Sequence, residues 1–209
     1  ALSLIGILIL KLWRKHPPIG IATAATVLIA FGASTILQNR IWHDSAALWQ
    51  RAIYYAPSSW STHYNLGLAY LKLKQDQAAQ DQLMEAFQLN PREPNILNNL
   101  ALSKANLGDR EGAVANLRDA LRLDPRMLEA HNNLGSVLQD KEQIADAIVQ
   151  FRIAIALQPD NPIAQYNLGI KYGKGSGVVQ DEVMAHSLFL KAAEQGFAKA
   201  QIDLAICFW

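Results

Sequence analysis

The chain has 209 residues, 51% hydrophobic and 18% charged, with a net charge of +1 and one cysteine. That balance fits a folded chain and excludes a nucleic-acid binder driven by bulk positive charge. A lone Cys207 makes no intrachain disulfide and leaves the redox compartment open.

A broken apolar run, Ala1 to Leu10, opens the chain, and residues 1–13 read as the end of a truncated transmembrane segment. Residues 14–18 form a basic loop, where Arg14 and Lys15 follow Lys11 with Trp13 at the border. Ile19 to Leu37 has no charge over 19 residues, enough to cross about 30 Å of hydrocarbon at about 1.5 Å per residue. Residues 19–38 are therefore expected to be a transmembrane helix. A cleaved signal peptide competes, but the run is long, lacks a clear small-x-small site and comes after another apolar segment. A buried helix of a soluble domain is the second alternative. Beyond the run only Arg40 is near, with Trp42 at the interface. The positive-inside bias therefore places the C-terminal part of the chain on the extracytoplasmic side, in a periplasm or lumen. Residues 39–59 are expected to be a linking helix or half repeat.

From Trp60 the chain repeats every 34 residues: Pro57, Pro91, Pro125 and Pro159 keep that spacing. So do Asn65-Leu66-Gly67, Asn99-Leu100-Ala101, Asn133-Leu134-Gly135 and Asn167-Leu168-Gly169. Ala79, Ala113 and Ala147 are in register, as are Leu83, Leu117 and Phe151, and then Ala86, Ala120 and Ala154. Leu66 and Tyr70 share one helix face; Ala79, Leu83 and Ala86 share another at i, i+4, i+7. Each repeat is thus two short amphipathic helices, A and B, closed by a proline that cannot continue a helix. Gly108 marks a turn and Asp109 an N-cap. No pair buries its apolar face alone, so the stack folds as a unit, an all-α solenoid preceded by the transmembrane helix.

The pattern Leu66, Gly67, Tyr70, Ala79, Leu83, Ala86, Pro91 resembles the tetratricopeptide repeat. Ala101, Lys104 and Leu138 depart from it at the Gly and Tyr positions. Residues 60–161 accordingly read as three such repeats, and the resemblance implies that the solenoid is right-handed. After Pro159 the register lengthens: Gly173-Lys174-Gly175-Ser176-Gly177, then Ala185 and Lys191 to Gly196, resemble the Sel1-like repeat, over residues 162–197. Residues 198–209 read as the start of a further, truncated repeat, and the chain as an internal piece of a longer protein. The string from Asn39 to Gly67 resembles the junction in multi-spanning membrane proteins with C-terminal repeats, including O-mannosyltransferase-like proteins. That resemblance implies catalytic groups upstream of these residues.

No candidate for chemistry stands out. The Gly173–Gly177 stretch lacks the preceding strand and the Lys-Ser/Thr of a phosphate loop, and reads as an inter-helix turn. His16, His43, His63, His131 and His186 have no metal-ligand spacing, and no cofactor or metal is expected. His63 and His131 occupy equivalent repeat positions as packing or lining residues. No catalytic residue is expected in this segment. The asparagine column is the candidate site: Asn65, Asn99, Asn133 and Asn167, with neighbours Tyr64, Leu68, Asn98, Leu102, Asn132, Ser136 and Tyr166. In the tetratricopeptide family this position faces the concave groove. Similar ladders occur in the glycosyltransferase that modifies Ser and Thr with N-acetylglucosamine. An amide offers donors and an acceptor to an extended peptide backbone; the alternative is that these side chains bridge adjacent helices or are solvated. The expected function is a membrane-anchored scaffold binding a protein or peptide partner, without nucleic acid. The alternative is the substrate-binding arm of a multi-spanning membrane glycosyltransferase.

Overall fold

The computed structural model describes residues 45–140 and 143–207, and these divide into two compact units at Tyr54/Tyr55. The first holds nearly all of α1 (Ser45–Tyr55). The second runs through α2 (Trp60–Lys72), α3 (Asp76–Leu89), α4 (Pro94–Asn106), α5 (Arg110–Leu123), α6 (Leu128–Asp140), α7 (Ile144–Leu157), α8 (Pro162–Lys174), α9 (Glu182–Glu194) and α10 (Ala198–Cys207). All described elements are helices. None is long and apolar enough to cross a membrane; the transmembrane helix expected at 19–38, the apolar segment at 1–13 and the basic loop lie outside the described residues.

The second unit is an all-α solenoid. Each A helix (α2, α4, α6, α8) packs on its own B helix (α3, α5, α7, α9), and each B helix packs on the next A helix. The core keeps the sequence period. Ala79, Leu83, Ala86, Ala113, Leu117, Ala120, Ala147, Phe151 and Ala154 are all fully buried. Small residues bring the paired helices close, and one large residue per repeat fills the gap. A Cβ on Gly67 would lie 2.7 Å from Leu83, on Gly135 2.6 Å from Phe151, and on Gly169 2.8 Å from Phe189.

The helix ends are set locally. Asp109 Oδ1 accepts from the Gly112 N–H at 2.8 Å, Asn161 Oδ1 from Ala164 N–H at 2.8 Å and Asp181 Oδ1 from Met184 N–H at 2.8 Å. Each satisfies an N-terminal donor that the helix leaves open. Pro94 and Pro162 occupy first-turn positions, where a missing N–H costs nothing. Asn90, Asp124 and Gln158, each just before a repeat proline, return their N–H to Ala86, Ala120 and Ala154.

The turn inside each repeat sets the spacing between its A and B helices. Three residues join α2 to α3 and α4 to α5, whereas seven, Gly175 to Asp181, join α8 to α9. The four extra residues explain why Gly169 meets Phe189 twenty positions on, while Gly67 meets Leu83 after sixteen. The long turn is a folded inter-helix connection. Asp181 N–H reaches back to the Tyr172 carbonyl at 3.0 Å, Gly177 lies against Ile144 and Ile148 of α7, and Val178 packs on the core.

Gly108 is the middle residue of the α4–α5 turn, at φ +90°, and Lys74 stands at the equivalent position with φ +58°. A side chain in this left-handed region costs roughly 1–2 kcal/mol, partly offset by the entropy that glycine loses on folding. Lys74→Gly is therefore expected to stabilise the chain by about 0.5–1 kcal/mol in urea denaturation. A destabilisation would show that the lysine side chain holds the turn.

Candidate functional site

The A helices of adjacent repeats touch, α2 with α4 and α4 with α6, and this face carries the asparagine column. The column is built into the stack. Asn99 Nδ2 donates to the Tyr64 hydroxyl at 3.0 Å and to the Asn95 carbonyl at 2.9 Å. One repeat later, Asn133 Nδ2 donates to Asn98 Oδ1 at 2.9 Å. At the far end the Tyr166 hydroxyl donates to Asp203 Oδ2 at 2.8 Å, joining α8 to α10 in the same way with the roles reversed. Asn65 Nδ2 donates within its own helix, to the Ser61 carbonyl at 2.8 Å.

The series changes at the next rung. Asn167 stands one repeat after Asn133, but Asn132 turns its Nδ2 to Asn161 Oδ1 at 3.3 Å, and its own Oδ1 is buried with no protein partner. The N-cap that starts α8 thus draws Asn132 out of the series.

The eleven residues singled out from the sequence separate into two groups. Asn98 and Asn132, 6% and 5% exposed, serve the stack. Tyr64, Asn65, Leu68, Asn99, Asn133, Ser136, Tyr166 and Asn167 are half-buried, and Leu102 is exposed. In Asn65, Asn99 and Asn133 the Nδ2 is engaged internally, which leaves the Oδ1 as acceptor. Burial raises the Tyr64 phenol above its ordinary pKa, helped by the Glu93 charge and opposed by the Asn99 hydrogen bond. Burial likewise raises Tyr166, reinforced by its bond to Asp203 and that residue's charge. Both rungs therefore hold neutral phenols at physiological pH. Tyr166 also lies against Phe189 and Phe197, at ring-centroid distances of 5.6 and 5.2 Å.

Between α4 and α6 the same face opens into a pocket of about 170 Å³. It is lined by Ala101, Leu102, Ala105, Asn106, Leu117, Asn133, Ser136 and Val137. Three of these, Leu102, Asn133 and Ser136, belong to the sequence-derived set.

The histidines His63 and His131 have matching surroundings. His63 Nδ1 lies 3.0 Å from Gln82 Oε1 and its Nε2 2.9 Å from the Pro57 carbonyl. His131 repeats this with Gln150 at 2.8 Å and Pro125 at 3.1 Å. Each buried ring ties helix A to its B helix and to the preceding turn. Leu97 holds this position in the second repeat. Gln165 holds it in the fourth, donating to the Pro159 carbonyl at 2.6 Å. Sequence reading missed the glutamine partners; their signal is a histidine and a glutamine 19 apart, occurring twice. Among the described residues no three of His, Cys, Asp and Glu come together as a metal site.

Models of the tetratricopeptide repeat match residues 61–93, 98–162 and 134–170, together about half of the chain, and a model of the Sel1 repeat matches 162–197. No curated protein matches the sequence. Among solved structures, MamA from Desulfovibrio magneticus RS-1 is 19% identical, with a TM-score of 0.63 over 80% of this chain and 94% of that one. YrrB, described as a TPR protein with an unusual peptide-binding site, is 20% identical, with a TM-score of 0.56 over 89% and 91%. An O-GlcNAc transferase mutant from Thermobaculum terrenum is 24% identical, with a TM-score of 0.61 over 67% of this chain but only 26% of the enzyme. These likenesses are of fold.

Proposed function

This chain belongs to the tetratricopeptide-repeat family and carries a Sel1 repeat, and from that premise we propose that it is a scaffold that binds an extended protein segment along the face of its A helices. The observation behind this reading is the asparagine column. It sets amide oxygens at one-repeat intervals beside an open pocket, and its amide nitrogens are already held by the stack. A fixed row of acceptors suits the N–H groups of an extended backbone and reads no particular sequence. The peptide-binding description of YrrB, a relative in fold, agrees with it. We further propose that residues 19–38 anchor the scaffold in a membrane with the repeats extracytoplasmic. The support is the uncharged run and the cations at Lys11, Arg14 and Lys15 on its other side.

A second reading makes the solenoid the substrate-binding arm of a membrane glycosyltransferase. It is favoured by one observation: a solenoid of this fold spans about a quarter of the Thermobaculum O-GlcNAc transferase chain. In both readings the repeats hold a segment and perform no reaction.

The test is Asn99→Ala combined with Asn133→Ala. From the sequence alone, unfolding would be expected to stay nearly unchanged; the rungs to Tyr64 and Asn98 now imply a loss of about 0.5–1.5 kcal/mol per bond. Tyr64→Phe is therefore the control, since it breaks one rung and keeps every amide oxygen. Binding of short capped peptides, measured by fluorescence anisotropy, is expected to weaken about tenfold or more in the double variant. It should stay close to the parent value in Tyr64→Phe. Equal weakening in both would mean that the amides act only through the stack.

A further inference from the structure

The chemistry of the pocket between α4 and α6 goes one step beyond binding in general, and it rests on the peptide-binding reading above. Its walls are Ala101, Leu102, Ala105, Leu117 and Val137, and none of its lining residues is charged. Its volume of about 170 Å³ is close to that of a cavity which holds benzene, about 150 Å³. One aliphatic side chain of leucine size fits it. The polar rim is Asn106, Asn133 and Ser136, and each of these already commits a donor N–H or O–H inside the protein. Asn106 Nδ2 donates to Asp76 Oδ1 at 2.7 Å, Asn133 Nδ2 to Asn98 Oδ1 at 2.9 Å and Ser136 Oγ to the Asn132 carbonyl at 3.0 Å. With these donors committed, the rim offers a ligand its oxygens, the Asn133 Oδ1 and the Ser136 Oγ among them. Glu129, one helical turn before Asn133, is exposed and adds a negative charge on the same helix.

We propose that this pocket takes a single aliphatic side chain of an extended segment, while the Asn133 amide oxygen accepts a backbone N–H beside it, so that the groove selects neutral aliphatic segments against acidic ones. A carboxylate at this point meets apolar walls and amide oxygens, with no cation among the lining residues. It would lose its hydration without replacement. An aliphatic side chain gains the burial of its apolar surface and leaves every existing hydrogen bond in place.

The experiment uses the whole chain and pools of short capped peptides, degenerate except for one central residue fixed as Leu, Ala, Glu or Lys. Binding is read by fluorescence anisotropy. The Leu pool is expected to bind about tenfold or more tightly than the Glu pool, with the Ala pool between them. Ala105→Leu, which fills the pocket from its half-buried wall, is expected to abolish the preference for Leu over Ala while keeping weak binding of all pools. Ser136→Val at the rim is the second variant, for use if Ala105→Leu lowers the unfolding midpoint. It is expected to keep the Leu preference and to leave the Glu pool weakest. Binding without a Leu preference, or a preference that survives Ala105→Leu, overturns the proposal and leaves the peptide-binding reading standing. No binding of any pool overturns both.

Discussion

Phe151→Ala is expected to lower the free energy of unfolding by about 3–5 kcal/mol, the usual cost of removing a fully buried aromatic ring. Phe151 is fully buried and is the largest side chain with no exposure among the described residues. It fills the gap between helices A and B of the third repeat, with its ring against Gly135. It also belongs to the continuous core formed by Leu117, Leu134, Ile148, Ala164 and Leu188, and so joins the third repeat to those beside it. In a stack held by nearest-neighbour interfaces, loss of such a residue weakens the junctions on either side. Urea denaturation monitored by circular dichroism reads the effect. A loss below about 1 kcal/mol would show that the neighbouring helices close over the gap, contrary to the close packing of this core.

The second large effect is a coupling. A Cβ at residue 135 would lie 2.6 to 2.9 Å from three ring carbons of Phe151, closer than carbon atoms pack. Gly135→Ala alone is therefore expected to cost about 1–3 kcal/mol through overpacking. The second repeat already contains the compatible alternative, with fully buried Ala101 in the glycine position and fully buried Leu117 in the ring position. In a Phe151→Leu background, Gly135→Ala should then cost less than half as much. The double-mutant cycle is expected to give at least about 1 kcal/mol of favourable coupling. Additivity within about 0.5 kcal/mol would mean that the backbone shifts to admit the methyl group and that size matching is not what pairs these positions.

The fold was legible because its determinants are local or periodic. Ala79, Leu83 and Ala86 declare a helix face within one stretch, the prolines declare the stops, and Asp109 caps the helix that it precedes. A longer turn after α8 could be read from its glycines and the change of register, but not its bounds: Gly173 and Lys174, read as turn, close α8, and the turn is Gly175–Asp181. What could not be read was where the asparagine amides point. The partner of Asn133 is Asn98, 35 residues earlier on a neighbouring helix, and no feature of either residue announces the pair. The same holds for Tyr64 with Asn99 and for Tyr166 with Asp203. Asn132 left the series because Asn161, the cap of α8, competes for its amide, a contest that only the folded junction reveals. The sequence therefore placed these residues on the A helices but overstated how many of their polar groups are open to a ligand. Asn98 and Asn132 hold repeats together, while the oxygens of Asn65, Asn99 and Asn133 are what the face has to offer.

The central claim is that a partner segment lies along the A helices, and cross-link mapping tests it most directly. The whole chain is irradiated with the leucine-centred peptide pool carrying a benzophenone group, and the modified residues are located by mass spectrometry. Cross-links are predicted within Tyr64–Leu68, Asn99–Asn106 and Asn133–Val137. The larger depression of about 680 Å³, lined mainly by B-helix residues, should stay clear at Arg118, Asp119, Arg122 and Gln150. Cross-links concentrated on Arg118, Arg122 and the neighbouring B-helix residues would contradict the claim and move the binding surface to the B helices.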